Sequence, residues 1–160
     1  MKKKNYFLIA AGILAVLAII FFSQSSNASN YENINSIEGE IEIYKSLTCG
    51  CCSVYSTYVD GKVSPNVKTF DVQDPDAVKR TYGVPTELES CHTTIVDGYF
   101  VEGHIPLEAI EKLLSERPNI AGIAMPGMPS GSPGMPGQKY ADFVIYAVNH
   151  DGTYDEFMRI

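Results

Sequence analysis

The chain has 160 residues, of which 45% are hydrophobic and 19% are charged, and its net charge is −7. This balance is typical of an ordinary folded protein, predicts one domain and excludes a disordered chain. The acidic excess and the lack of a basic stripe argue against nucleic acid as a partner, because such a surface repels phosphate backbones.

Residues 1–28 have the layout of an export signal. Three lysines at positions 2–4 precede an uncharged apolar run over residues 6–22, and a polar stretch follows. This order is typical of a secretory signal peptide with cleavage after Ala28, but the run is also long enough for a single membrane anchor. Both alternatives predict that residues 29–160 are exported, with membrane contact only through an uncleaved N-terminal segment.

The exported part is strongly acidic. Without residues 1–28 it has nine basic and nineteen acidic side chains, a net charge of −10. This charge is compatible with cations as ligands, and equally with an acidic surface that only keeps the protein soluble. Residues 29–39 are mostly polar and are expected to be a flexible lead-in to a folded domain over residues 40–160.

The first cysteines lie where a strand is predicted to turn into a helix. The stretch EIEIY, Glu40 to Tyr44, alternates polar and apolar residues as a half-buried strand does. TCGCCS follows at residues 48–53, and apolar residues then recur at helical spacing until Gly61. Three of the four cysteines are therefore expected on the strand-to-helix turn and in the first turn of the helix.

Capping residues define the next elements. Residues 66–72 are typical of a second strand, and Asp74 with Pro75 marks the start of a short helix that ends at Gly83. A loop then carries the fourth cysteine, Cys91.

The second half of the chain predicts two hairpins separated by a helix and a long loop. Residues 93–103 form two alternating runs around an Asp-Gly pair, and a helix is predicted over residues 106–117. Residues 121–139 are rich in methionine, glycine and proline and are predicted to be a loop. Two further runs around NHDG predict the last hairpin.

This element order predicts a thioredoxin-like α/β fold with an additional C-terminal β-hairpin. A helical crossover joins the first two strands, and a hairpin follows the second helix. On this template the residues before the third strand lie beside the turn that carries the CxxC pair. Cys91 and His92 are thus expected next to the cysteine cluster, although they are distant in sequence.

The cluster has three interpretations. Cys49 and Cys52 have the CxxC spacing of a redox pair at a helix start, where the helix dipole favours the thiolate. Cys51 fits that interpretation poorly, because a third thiol could attack a disulfide between the other two. A structural disulfide framework is disfavoured, because the cysteines are too close to staple separate segments. A metal site uses all the thiols together with Cys91, and it suits soft ions such as Cu(I), or zinc.

Several ordered and unusual motifs resemble one known family. They are YKSLTCGCC, YGVPTELESCHT, VDGYFVEGHIP, LLSERP and GIAMPGMPSGSPGM, and they are spread over residues 44–135. In these motifs the chain is similar to exported bacterial proteins of the copper-resistance protein CopG type. The resemblance implies a thioredoxin-like periplasmic domain that handles copper and interconverts Cu(I) and Cu(II). It also implies a set of copper ligands, namely Cys49, Cys51, Cys52, Cys91 and His92.

The remaining ligand candidates are two histidines and a group of methionines. The resemblance favours His104 as a further copper ligand, whereas His150 is expected to be an exposed turn residue. Met125 and Met128, with Met135, are separated by glycine and proline, so they form no helical core stripe, and a thioether is a neutral Cu(I) ligand. The alternative for each methionine is a hydrophobic contact that anchors the loop.

These observations predict a copper-tolerance protein of the periplasm, either free or anchored to the inner membrane. It is expected to bind one or several Cu(I) ions, with zinc as the less favoured metal, and to have copper ions and other periplasmic copper-handling proteins as partners. Two alternatives stay open. One is a thiol-disulfide oxidoreductase that uses Cys49 and Cys52 without metal, and the other is a copper chaperone without redox activity.

Overall fold

The computed structural model describes residues 31–160, so the predicted signal peptide or anchor lies outside the described residues. The helices are α1 (Glu32–Asn35), α2 (Gly50–Asp60), α3 (Pro75–Tyr82) and α4 (Leu107–Glu116), with a 3-10 turn at Thr86–Leu88. The strands are β1 (Ile41–Ser46), β2 (Val67–Val72), β3 (His92–Val96), β4 (Tyr99–Glu102), β5 (Gly122–Ala124), β6 (Val144–Val148) and β7 (Tyr154–Arg159). Within residues 31–160 no helix is long and apolar enough to cross a membrane.

A mixed seven-stranded sheet organises residues 31–160, with the strand order β2-β1-β3-β4-β5-β6-β7. Strand β1 pairs in parallel with β2, and helix α2 forms the crossover between them. Strands β4 and β5 are also parallel, and the other neighbours are antiparallel. The predicted α/β class is confirmed, and β6 and β7 form an additional hairpin at the C-terminal end of the sheet.

Both faces of the sheet are covered. Phe100 and Val101 are neighbours in β4, where successive side chains point to opposite faces, and they belong to different hydrophobic clusters. The larger cluster joins β1 to α2 and α4 and contains the fully buried Tyr55. The smaller cluster lies on the side of the 3-10 turn. Helix α2 therefore packs on a sheet whose other face is also covered by a hydrophobic cluster. This packing fixes the position of the N-terminus of α2.

Local sequence signals explain where several elements begin and end. The Asp74 carboxylate accepts a hydrogen bond from Ala77 N at 3.1 Å, and Gly83 ends α3 with φ +72°. Asp97 and Gly98 both have positive φ, as the two central residues of a tight hairpin turn require. The predicted helix start, helix stop and hairpin turn are confirmed.

The structure differs from the expectation of a flexible lead-in at residues 29–39. Helix α1 forms there, and its Ile34 is fully buried in the larger cluster. The Glu111 carboxylate of α4 accepts hydrogen bonds from Asn33 N at 2.9 Å and Ile34 N at 3.0 Å. A contact between segments far apart in sequence holds this short helix, so the local composition did not reveal it.

The structure also differs at the start of the predicted loop, residues 121–139, because β5 lies within it. Gly122 of β5 packs so closely on β4 that a Cβ atom would lie 2.2 Å from Phe100 O. Three residues are too few for a periodic pattern, and the strand forms because β4 and β6 offer partners on both sides.

Gly103, directly after β4, gives a stability prediction. It has φ +87°, and a Cβ atom there would lie 2.6 Å from Met125 O and 2.9 Å from Ser90 Cβ. We expect Gly103→Ala to lower the free energy of unfolding by about 3 kcal/mol or more, because left-handed strain of about 1–2 kcal/mol adds to a backbone clash. Denaturant unfolding followed by circular dichroism measures this loss.

Gly98→Ala is the matched control. Gly98 has a similar φ of +85° but open space around its Cβ position, so this variant should lose only the strain energy. Equal losses in the two variants would contradict the packing argument.

Candidate metal centre

The CxCC segment lies at the junction of β1 and α2. Cys49 is the N-cap of α2, and Cys51 and Cys52 are in its first turn. Cys49 and Cys52 form a disulfide with their Cα atoms 5.3 Å apart. Cys51 is a free thiol, and its Sγ lies 3.5 Å from the Cys49 Sγ. In the sequence Cys51 argued against a redox pair, and the structure nevertheless has the disulfide with this third thiol beside it, an arrangement that permits exchange within the segment.

Cys91 reaches this segment through the fold. It directly precedes β3, whose antiparallel register with β1 sets Lys45 opposite His92. Cys52 Sγ lies 3.7 Å from Cys91 O. One sulfur each from Cys49, Cys51, Cys52 and Cys91 lies within 4.8 Å of all the others. The expected closeness of Cys91 to the cluster is therefore what the structure shows.

Two histidines extend the cluster into the interior of the domain. His92 and His104 are both fully buried, with their rings 4.8 Å apart at the centroids. The Cys91 Sγ lies 3.0 Å from His104 Nε2 and 3.5 Å from His92 Nδ1. Cys52, Cys91, His92 and His104 form a second group of potential ligand atoms within 4.8 Å of one another. The two groups share Cys52 and Cys91, so the six side chains make one continuous site.

The hydrogen bond of His104 determines which of its nitrogens can bind a metal. Its Nδ1 lies 2.7 Å from Pro133 O, and a carbonyl oxygen can only accept, so Nδ1 carries the proton. In the neutral ring Nε2 then has a free lone pair, and this atom faces the Cys91 sulfur. His104 is thus held in the tautomer that a metal site needs.

His92 contains a buried polar atom without a partner. Its Nε2 makes no hydrogen bond within residues 31–160. Tyr55 packs against the ring at 4.4 Å between centroids and donates its own hydroxyl hydrogen to Ile105 O at 2.9 Å. An unpartnered buried nitrogen beside a cysteine cluster is a second indication, independent of the thiols, that a ligand completes this site.

Burial sets the protonation states of the site. It lowers the pKa of His92 well below the ordinary value, and the neighbouring His104 and Lys79 lower it further. Burial also lowers the pKa of His104, against an opposing effect of the bond to Pro133. Both rings are therefore neutral at pH 7, which leaves lone pairs for a metal. Burial raises the pKa of the Cys91 thiol to about 11, and the nearby Cys51 adds to this rise.

The residues fit a soft metal ion. Four sulfurs and two neutral imidazoles suit Cu(I), and no carboxylate is among the converging groups in residues 31–160. A monovalent cation would replace the thiol protons and compensate thiolates that are otherwise costly in a buried site.

The loop of residues 125–139 lies over this site. Besides Pro133, Gly134 packs on the first turn of α2, where a Cβ atom would lie 2.8 Å from Tyr55 N and 3.0 Å from Cys51 O. Ser90, next to Cys91, donates its hydroxyl hydrogen to Gly127 O at 2.5 Å. Sequence reasoning missed Pro133 and Gly134, since nothing local distinguishes them from the other prolines and glycines of the loop.

The methionines and the third histidine occupy different environments. Met125 is 1% exposed and belongs to the larger hydrophobic cluster, whereas Met128 is 53% exposed. Hydrophobic packing accounts for the burial of Met125. Copper binding by Met125 or Met128 stays a prediction. Met135 is partly buried and directly follows Gly134. His150 is exposed in its turn and lies 3.2 Å from Asn119 Oδ1, as expected for a residue outside the site.

Comparisons with known proteins point to one family. A family profile described as "Protein of unknown function, DUF411" matches residues 88–135, which include Cys91, His92 and His104. Two solved structures, named "Copper resistance protein copG- Form 1" and "Form 2", are each similar to this chain with 35% identity and a TM-score of 0.69. Each match covers 76% of this chain and 97% of the other. No sequence among curated proteins matches.

The raised pKa of Cys91 gives a testable pH dependence. In Cys51→Ser purified without reductant, Cys91 is the one free cysteine of the described residues. Burial, the largest cause of the shift, persists in this variant. Because less thiolate is present, iodoacetamide should alkylate Cys91 at pH 8 at least about tenfold more slowly than an ordinary thiol. Mass spectrometry measures the rate.

The same variant in urea, with its disulfide intact, is the control. Its alkylation rate should level off near pH 9, whereas the folded protein's rate should keep rising about tenfold per pH unit. A plateau at the same pH in both samples would contradict the shift.

Proposed function

Because the chain belongs to the CopG-type family of copper-resistance proteins, we propose that it is an exported protein that binds Cu(I) for copper tolerance. The observation that carries the proposal is the convergence of four cysteine sulfurs and two histidine nitrogens in two overlapping groups, each within 4.8 Å. The sequence layout of residues 1–28 supports a periplasmic location. The α2 crossover, with the CxxC pair at its N-terminus, supports a thioredoxin-like domain.

The disulfide must open before all four cysteines can act together. Reduction of the Cys49–Cys52 bond takes up two electrons and two protons from a thiol or other reductant and gives two thiols. Cu(I) then binds as the thiols release their protons. Cysteine thiolates can bridge metal ions, so the two overlapping groups favour more than one Cu(I) in the site.

The chain's own residues have distinct roles in this binding. The Pro133 carbonyl oxygen orients His104 by accepting a hydrogen bond from its Nδ1–H, so that Nε2 faces Cys91. Tyr55 packs against both imidazoles, with its ring centroid 4.4 Å from that of His92 and 5.5 Å from that of His104, and shields them from water. The loop of residues 125–139 covers the first turn of α2. These contacts hold the nitrogen and sulfur donors in place before copper arrives.

A redox function is the second candidate, and the Cys49–Cys52 disulfide favours it. If copper is the substrate, the two thiols reduce two Cu(II) ions to two Cu(I) ions, release two protons and become the disulfide. If another protein is the substrate, the same pair exchanges disulfides with that protein and no metal takes part. A chaperone that transfers Cu(I) to a periplasmic partner would use the same ligands without a change in the oxidation state of copper.

Cys51 distinguishes copper binding from disulfide exchange. We expect Cys51→Ser to weaken Cu(I) binding as strongly as Cys49→Ser, by about tenfold or more, because each removes one of four converging sulfurs. Anaerobic titration of the reduced protein against a chromogenic Cu(I) chelator measures the affinity and the number of ions. A metal-free oxidoreductase predicts instead that Cys51→Ser keeps its exchange rate with a thiol reagent and that Cys49→Ser loses it. Less than one copper per chain under excess Cu(I) would overturn the proposal.

The histidines offer a matched pair of variants. His104→Gln should weaken Cu(I) binding by about tenfold or more, because it removes the imidazole nitrogen that faces Cys91. His150→Gln changes the same residue type at an exposed position outside the site and should leave the affinity unchanged. Equal effects of the two substitutions would show that His104 is not a ligand.

A further inference from the structure

A buried ion pair lies beside the candidate centre on elements that carry none of the cysteines. Lys79 of α3 and Glu102 of β4 are 2% and 0% exposed, and Lys79 Nζ lies 2.5 Å from Glu102 Oε1. Glu102 is paired with Thr93 in the β3–β4 register, so its carboxylate is on the face of the sheet opposite the His92 side chain. The ion pair therefore does not contact copper ligands directly.

The Glu102 carboxylate accepts hydrogen bonds from three groups. Besides Lys79, its Oε1 accepts from Ser90 N at 2.6 Å, and its Oε2 accepts from Thr93 Oγ1 at 2.6 Å. Lys79 Nζ also donates to Thr93 Oγ1 at 3.3 Å. A fully buried carboxylate with this many donors is held in one orientation.

Two of these donors flank the copper-binding pair in the sequence. Ser90 immediately precedes Cys91, and Thr93 immediately follows His92. The Glu102 carboxylate thus holds the backbone N–H of the residue before Cys91 and the side-chain hydroxyl of the residue after His92. It also stands two residues before His104, and the intervening Gly103 N donates to His92 O at 2.9 Å.

The contact with Ser90 cannot be replaced by hydrophobic packing. Apolar residues often substitute for a buried ion pair without loss of stability, so we expect variants that lose both charges together to fold. An amide hydrogen that loses its acceptor in a partly buried loop must find another, and the loop then moves. The residue directly after Ser90 is the half-buried Cys91, so this movement would displace its sulfur.

We propose that Glu102, with its charge compensated by Lys79, is a positioning residue that places Cys91 for copper binding through the Ser90 N–H. The inference rests on the proposed function, since it concerns the same site. It assigns a role in the site to a carboxylate and an ammonium group that are not themselves ligands.

Two double variants test the hydrogen bonds that the Glu102 side chain makes to the residues flanking the Cys91–His92 pair. Lys79→Met with Glu102→Gln removes both charges but keeps a carbonyl oxygen that can accept from Ser90 N. Lys79→Met with Glu102→Leu removes both charges and the acceptor. Both variants lack the ion pair equally, and they differ in whether Ser90 N and Thr93 Oγ1 keep a polar partner at position 102. Thr93→Val alone removes only the hydrogen bonds of the Thr93 hydroxyl, so it separates the two contributions. Thermal unfolding of each variant shows that the comparison is made on folded protein.

Copper binding is the first readout, by anaerobic chelator competition and Cu(I)-thiolate luminescence. The variant with glutamine should stay within about threefold of the wild-type affinity, and the variant with leucine should bind at least about tenfold more weakly with altered luminescence. Equal affinities in the two variants would overturn the inference.

The second readout needs no copper. In the Cys51→Ser background with the disulfide closed, Cys91 should react with iodoacetamide at least about threefold faster in the leucine variant than in the glutamine variant. If the wild type fails to bind copper, the proposed function fails, and this rate comparison still decides whether Glu102 positions Cys91. Equal rates would contradict the positioning role even in a chain that binds copper.

Discussion

The antiparallel pairing of β1 with β3 is the constraint on which the candidate centre depends. Lys45, near the end of β1, lies opposite His92, at the start of β3. The chain leaves β1 to form the CxCC turn, and it enters β3 directly after Cys91. The pairing therefore brings together two segments that are about forty residues apart along the chain. A shift by one residue would move the His92 side chain to the opposite face, away from α2 and from His104.

Burial gives the site its chemical character. Tyr55 and the loop of residues 125–139 shield the histidines and part of Cys91 from water, so the histidines stay neutral and the Cys91 thiol keeps its proton at neutral pH. Such a site disfavours an accumulation of thiolates unless a cation accompanies them. A soft monovalent ion meets that requirement, since it binds sulfur and neutral nitrogen and brings a single charge. The same surroundings accommodate the Cys49–Cys52 disulfide. In the proposed function, copper loading and disulfide formation would compete for Cys49 and Cys52, which links the binding and redox proposals through the same two sulfurs.

Much of this could be predicted from the sequence, because it depends on local signals. The strand-to-helix turn at Cys49, the cap at Asp74 and the tight turn at Asp97 each follow from neighbouring residues. The position of Cys91 beside the CxCC turn could be predicted only from a fold, and the predicted order of strands and helices was sufficient to indicate that fold. Other features depend on contacts between distant segments and have no local signal. Helix α1 forms through Glu111, β5 forms through its neighbours, and Pro133 reaches His104 across twenty-nine residues. The thioether ligands expected at Met125 and Met128 stay a prediction, with Met125 packed in the core.

The central claim is that the two parts of the site, the CxCC turn and the Cys91–His92–His104 group, bind copper together. A crystal structure of the reduced, Cu(I)-loaded protein, with anomalous diffraction recorded at the copper edge, tests this most directly. The account predicts an open Cys49–Cys52 bond and anomalous peaks between the sulfurs of Cys49, Cys51, Cys52 and Cys91. Copper bound elsewhere, such as at loop methionines alone, or a disulfide that stays closed in the loaded protein, would contradict it.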